Sequence, residues 1–328
     1  MEHLKDVVHR TPLTTSTSIN ELTGKQVYFK MENMQKTGAF KVRGASFKVS
    51  QLTKEEAKRG VIAASAGNHA QGVALAASKR GIKAKIFMPE HTPEAKVKAT
   101  ESYGAEIVLT GESFQESFEA ACADQRRNGS VFIHPFDDYD VMAGQGTIAL
   151  EMLEQNPSLD TLVVPIGGGG LISGVAVAAK SVKPSIKIVG VQSAGASAMY
   201  NQYYKQGPST LKSVSTIADG IAVKKPGQNT FPLIKQYVDE IVTVSETHIA
   251  KAIVTMLERN KSLVEGAGAS ALAAVLEHGS NIQSNHTGII VSGGNMDLAR
   301  LPMIQNLSQQ EEPTSVSATQ KSPSFVAS

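Results

Sequence analysis

Thr161-Leu162-Val163-Val164-Pro165-Ile166-Gly167-Gly168-Gly169-Gly170-Leu171 decides the fold. An apolar, partly β-branched run stops at four glycines, and an apolar helical stretch, Leu171 to Ser181, takes over. From Thr161 to Ala179 there is no charge, so a hydropathy scan would flag a membrane span. The proline and the glycines argue against one, because a lipid-exposed helix has no use for them. Strand, turn and helix in succession make half of a parallel βαβ unit.

Working outward, the same alternation recurs. Val61–Ser65, Ala84–Met88, Glu106–Leu109 and Val131–Ile133 read as strands. Asn68–Lys79, Glu94–Tyr103 and Ser113–Arg127 read as helices between them, with Gly104 where a helix C-cap belongs. Beyond the glycines, Ile186–Val191, Ile241–Val244 and Thr287–Ser292 read as strands, and Glu246–Arg259 and Gly266–His278 as helices. The fold class is α/β, with two open twisted parallel sheets and ligands expected in the crevice at the strand carboxyl ends. Residues 308–328 are rich in Ser, Gln, Thr and Pro and lack a period, so a disordered tail is expected there.

Composition bounds the function. The 328 residues carry 32 Lys+Arg against 30 Asp+Glu, a formal net charge of +2, which offers no field for nucleic acid or an anionic membrane. The single Cys122 permits no internal disulfide and reads as a small buried residue in a helix. The N-terminus has no apolar stretch behind its charges, so no signal peptide is read and the cytosol is the expected compartment. None of the eight histidines, His69 and His134 included, shows a metal-ligand spacing, and no metal is expected.

Four motifs carry chemistry. Gly167 to Leu171 allow a tight turn whose N–H groups face outward at a helix N-terminus, which suits a phosphate; a bare turn would waste the backbone entropy of four glycines. No Lys-Ser or Lys-Thr follows, so it is not a Walker loop, and Gly67 and Gly72 are likewise followed by Val73-Ala74. Ser65-Ala66-Gly67-Asn68-His69 opens another helix and suits a carboxylate, although Ser65 or Asn68 capping its own helix is an equal reading. Lys41, between Phe40 and Val42 and bracketed by Gly38 and Gly44, becomes a nucleophile if burial lowers its pKa; most lysines are solvated. Ser292-Gly293-Gly294-Asn295 ends a strand and can turn a hydroxyl into the same crevice. Gly266, Gly268 and Ala271 match a dinucleotide-binding pattern, but without a preceding strand, so packing by small residues is the simpler reading.

The order of these motifs resembles that of the pyridoxal-phosphate enzymes of the tryptophan-synthase-β-like family (fold type II), in particular the short catabolic threonine/serine dehydratases, with serine racemase as near kin. The resemblance runs from about Val7 to Asn306 and includes Ala143-Gly144-Gln145-Gly146-Thr147 and Ala218-Asp219-Gly220. It implies that the cofactor is pyridoxal 5'-phosphate and that Lys41 carries it covalently. It also implies that Phe40 packs on its ring, Asn68 bonds its 3-hydroxyl, Gly167, Gly168, Gly169, Gly170 and Leu171 hold its phosphate, and Ser292 meets its pyridine nitrogen. Ser65, Ala66, Gly67, Asn68 and His69 would grip the substrate carboxylate. The implied reaction is deamination of L-threonine or L-serine to a 2-oxo acid and ammonia.

The resemblance further implies a small domain over residues 49–140, a large domain over 1–48 and 141–307, and a homodimer or homotetramer. An AMP or ATP effector site would match Lys36, Thr37, Gln71, Tyr103 and Asn295. Metal-binding relatives place acidic ligands where Gln192 and Ala198 stand here, with Ala196 at the backbone-carbonyl position. Serine racemase, a non-catalytic cofactor or nucleotide sensor, and an NAD oxidoreductase are the alternatives.

Overall fold

The computed structural model describes residues 2–279 and 281–310. Ten strands, β1 (Leu13–Thr15), β2 (Gln26–Met31), β3 (Val61–Ala64), β4 (Ala84–Met88), β5 (Glu106–Leu109), β6 (Val131–Phe132), β7 (Thr161–Pro165), β8 (Lys187–Ser193), β9 (Glu240–Val244) and β10 (His286–Val291), form two sheets. The larger has the order β1-β2-β10-β7-β8-β9 and the smaller β5-β4-β3-β6. All pairings are parallel except β1 with β2, so the larger sheet carries one antiparallel edge strand that the pattern of parallel units did not anticipate.

The helices are α1 (Thr17–Thr23), α2 (Lys41–Ser50), α3 (Lys54–Arg59), α4 (Asn68–Lys79), α5 (Glu94–Glu101), α6 (Phe114–Asn128), α7 (Tyr139–Gln155), α8 (Gly170–Val182), α9 (Ala198–Tyr204), α10 (Thr230–Tyr237), α11 (Glu246–Thr255), α12 (Gly266–His278) and α13 (Leu301–Ser308). Four elements match their sequence limits residue for residue: α4, β4, β5 and α12. Each is bounded by Gly, Pro or a charged turn. Three limits shift. α5 stops at Glu101 and the chain turns through Gly104, whose φ of +88 suits a residue without Cβ. α11 gives way at Met256–Asn260 to a π-helical turn. Ser308, where a tail was expected to start, is the last residue of α13, which buries Ile304; residues 311–328 of the expected tail lie outside the described residues.

Two of the helices missed by pattern share a physical cause. α2 and α7 are wedged between the two sheets and buried on most sides: Val42 to Ser46 and Val141, Met142 and Gly144 to Ala149 are all buried. A helix without a wet face shows no stripe of period 3.6. Glycines let these helices approach closely. A Cβ on Gly174 would lie 1.9 Å from Met142 O, and one on Gly72 3.0 Å from Val42 N. Separate apolar cores lie against the two sheets. Among the described residues no helix is long and apolar enough to cross a membrane, and Thr161–Ala179 is β7, turn and α8.

Candidate active site

Lys41 is the first residue of α2 and is held there by the neighbouring strand end. Phe40 N–H donates to Ser292 O (3.0 Å), Gly294 N–H donates to Gly38 O (2.9 Å), and Ala39 pairs with Gly293. Gly38 has φ +71, and a Cβ there would sit 2.3 Å from Asn295 Oδ1, so only glycine fits. The Lys41 ammonium donates to Pro135 O (2.8 Å) and lies 5.2 Å from the centroid of the Phe40 ring. Burial lowers its pKa to about 8, against the opposing charge of Glu265. The sequence expectation of a desolvated lysine therefore has its physical basis in the fold.

One cavity is lined by Lys41, Phe40, Phe136 and the whole loop Gly167 to Leu171, together with Gly220, Ile221 and Val223. Lys41 and the glycine loop, 126 positions apart in the sequence at their nearest, thus share a wall. Gly169, the residue before α8, has φ +102, and no side chain caps that helix. Its first N–H groups are free of side-chain acceptors, as a phosphate site requires. α4 is also uncapped: Ser65 Oγ accepts from Gly67 N–H (3.3 Å), inside the turn, and neither Ser65 nor Asn68 caps the helix. The capping alternative falls, and no side chain caps the α4 N-terminus.

Asn68 and Ser292 are not part of that cavity lining but flank it. Ser292 is 2% exposed, and its hydroxyl has no hydrogen-bond partner among the described residues. The Asn68 amide donates to Glu265 Oε1 (2.8 Å) and accepts from Asn295 Nδ2 (2.8 Å). Glu265 was missed in the sequence. Its only mark there is a lone charge in the stretch Leu263-Val264-Glu265-Gly266-Ala267. Burial raises its pKa to about 7, opposed by the Asn68 hydrogen bond.

The His69 side chain turns away from the loop surface. The imidazole points inward, its Nε2 donating to Ile133 O (2.8 Å), and Nδ1 is buried without a partner. Desolvation and then the Lys41 charge hold its pKa near 3. Only the backbone of His69 is available to a carboxylate.

Of the effector set, Tyr103 Oη donates to Lys36 O (3.4 Å) and Asn295 Nδ2 to Thr37 O (2.7 Å), so four of the five residues are tied together. No side-chain hydrogen bond ties Gln71 to them among the described residues. Gly266 and Gly268 are packing residues: a Cβ on Gly268 would lie 2.2 Å from Gly293 O and one on Gly266 2.7 Å from Ile217 O. No strand precedes them, and the dinucleotide reading loses its support. Cys122 is half-buried rather than buried, and burial raises its thiol pKa.

A part-buried lysine amine of lowered pKa, a hydroxyl without a partner on a nearly buried serine and two uncapped helix N-termini are brought together, an arrangement suited to an anionic ligand. The residues fit pyridoxal phosphate: a cradle without Cβ atoms for a phosphate, Lys41 for the aldehyde and Ser292 Oγ for a ring nitrogen. Residues 4–293 match the family model of pyridoxal-phosphate dependent enzymes, and the chain belongs to that family. Relatives include an L-threonine ammonia-lyase of Thermotoga maritima, 51% identical over 92% of this chain and 75% of the relative. The catabolic L-threonine dehydratase TdcB of Staphylococcus aureus is 46% identical over 91% and 87%. The fold superimposes on maize serine racemase with a TM-score of 0.88 at 42% identity, covering 93% of this chain and 95% of that one.

Proposed function

We propose that the protein is a pyridoxal-phosphate-dependent threonine/serine ammonia-lyase that converts L-threonine to 2-oxobutyrate, or L-serine to pyruvate, with release of ammonia. The observation that carries this reading is the shared cavity wall of Lys41 and the glycine loop, beside the uncapped N-terminus of α4. The names of the relatives at 46–51% identity supply the substrate class.

In this reading Lys41 Nζ holds the cofactor, Gly167 to Leu171 its phosphate, Asn68 its 3-hydroxyl and Ser292 its ring nitrogen, with Phe40 against the ring. When bound, pyridoxal phosphate supplies an electron sink for charge developing at the substrate Cα. The backbone N–H groups of Gly67 to His69 bind the substrate carboxylate and aim Cα at Lys41. The Lys41 amine, neutral at a lower pH than a solvated lysine, takes the Cα proton as general base. The β-hydroxyl leaves as water, which returns on hydrolysis, so the net products are the 2-oxo acid and ammonia. Ser292 is a hydroxyl and not a carboxylate, which favours elimination over transamination.

The same reading includes a homodimer or homotetramer in the cytosol, domain limits at residues 49 and 140, and a nucleotide effector at Lys36, Thr37, Gln71, Tyr103 and Asn295, supported by the ties among four of these five residues. An absorption spectrum of the purified protein tests the reading first. A Schiff-base band, lost on borohydride reduction with the label on Lys41, is expected, followed by keto acid formation from threonine or serine. A labelled lysine without keto acid from either would favour the sensor.

A further inference from the structure

Residues 133–138 lead from β6 to α7 and touch Lys41, through Pro135 O, the His69 ring, through Ile133 O, and the glycine loop. Phe136 packs on the glycine loop: a Cβ on Gly168 would lie 2.4 Å from its ring, and one on Gly170 2.7 Å from its carbonyl oxygen. The next side chain, Asp137, is turned to residues 227–230. Its Oδ1 accepts from the N–H of Asn229 (2.8 Å) and Thr230 (3.2 Å), and its Oδ2 from the N–H of Gln228 (2.9 Å). Asn229 Nδ2 adds a bond to Asp137 O (3.3 Å). A Cβ on Gly227 would meet Asp137 Oδ1 at 2.4 Å, so glycine is needed for this approach.

The segment held by Asp137 holds the glycine loop in turn. Gly227 N–H (3.1 Å) and Thr230 Oγ1 (2.8 Å) both donate to Gly168 O, and Thr230 is fully buried. A peptide unit is planar and trans, so the N–H of Gly169 points opposite to the C=O of Gly168. Fixing that carbonyl on one side aims the Gly169 N–H to the other, and Gly169 lines the cavity that contains Lys41.

We infer that Asp137 is a positioning residue for the phosphate site: it braces residues 227–230 so that Gly227 and Thr230 lock the Gly168–Gly169 peptide with its N–H toward the bound phosphate. The inference rests on the reading that the glycine loop takes the phosphate. The carboxylate does not act through its own charge. A negative group near a phosphate dianion opposes binding, and here that charge is spent on three N–H donors at the start of α10. A role by charge and a role by positioning therefore differ in sign.

The test compares the affinities of the cofactor-free protein for pyridoxal phosphate and for pyridoxal, which lacks the phosphate, read by absorbance and fluorescence, with the melting temperature of each variant. Removing a carboxylate that accepts several hydrogen bonds should make Asp137→Ala about tenfold or more weaker for pyridoxal phosphate and leave pyridoxal within about twofold. Asp137→Asn, which keeps one acceptor oxygen, should fall between, and Thr230→Val should lose affinity where Thr230→Ser keeps it. Equal losses for both probes, an unchanged pyridoxal phosphate affinity with a lower melting temperature, or tighter binding by Asp137→Asn would overturn the inference. If Asp137→Ala does not fold, the Thr230 pair decides: equal discrimination by Val and Ser rules it out. Unmodified protein that fails to prefer pyridoxal phosphate over pyridoxal removes the glycine-loop reading itself. A preference kept by the unmodified protein and all variants removes only the role of Asp137.

Discussion

Arg43 and Glu151 face one another as a bidentate pair, Nη1 to Oε1 at 2.6 Å and Nη2 to Oε2 at 2.9 Å, with the guanidinium wholly buried between α2 and α7. Glu32 closes the other side at 2.8 Å to Nε and 2.8 Å to Nη2, and Lys30 donates to Glu151 at 2.6 Å. Two cations and two anions thus balance in the interior, and the network pins the helix whose first residue is Lys41.

Arg43→Met leaves Glu32 and Glu151 buried with Lys30 as their only cation in the network. The expected loss is about 3–5 kcal/mol, the usual result of breaking a buried pair from one side. Arg43→Lys should recover only part of it, because an ammonium cannot match two carboxylates in a planar fork. Urea unfolding of each variant measures this; a loss below about 1 kcal/mol would show that the network is dispensable.

Lys41→Ala should abolish turnover while leaving the fold and non-covalent cofactor binding. Circular dichroism, the cofactor spectrum and keto acid release check the three parts. Normal turnover in this variant would end the proposed mechanism.

Acid should unfold the protein through two histidines. His134 Nδ1 accepts from the N–H of Phe136 and Asp137, and desolvation first, then the Lys41 charge, lowers its pKa to about 4 against the pull of Asp137. His69 stands near 3. Both folded values lie below the ordinary 6.5, so the unfolded chain binds more protons. The stability these groups contribute is present above pH 6.5 and is lost as pH falls toward 4 and 3. His134→Asn retains an acceptor but cannot titrate. Its stability should fall less steeply between pH 6.5 and 4, by up to about 1.4 kcal/mol per pH unit. An unchanged slope in denaturant titrations would contradict this.

Divalent cations should be unnecessary. Gln192, at the first acidic position of metal-binding relatives, has both ends of its amide committed, accepting from Tyr200 N–H (2.8 Å) and donating to Ile166 O (3.4 Å). Ala196 and Ala198 are buried and supply no side-chain oxygen, which a hard cation wants. Dialysis against a chelator should leave the rate unchanged, whereas a loss reversed by magnesium would place ligands elsewhere.

Elimination should dominate over racemisation. By the resemblance to serine racemase, Ala66, between Ser65 and Gly67 in the loop before α4, takes the place of a serine, and a methyl group has no proton to give. L-serine should yield pyruvate with little D-serine, and Ala66→Ser should raise D-serine formation. Chiral chromatography decides; D-serine formed by the unmodified protein as fast as pyruvate would favour the racemase reading.

Local sequence determined much of this molecule. Runs of apolar residues stopped by Gly, Pro or charge delimit α4, β4, β5 and α12, because hydrophobic period and turn chemistry act over a few residues. The glycines at the end of β7 and the glycine-bracketed Lys41 were legible for the same reason. Only the tertiary structure decided which charges lose their water. Nothing next to Arg43, Glu265 or Asp137 in the chain marks them; their partners lie 108, 197 and 93 residues away at Glu151, Asn68 and Thr230. Nor does the sequence say that the His69 ring turns inward to Ile133, just past β6. Desolvation and the aim of a donor arise from layers packed against each other, and those layers exist only when distant segments meet.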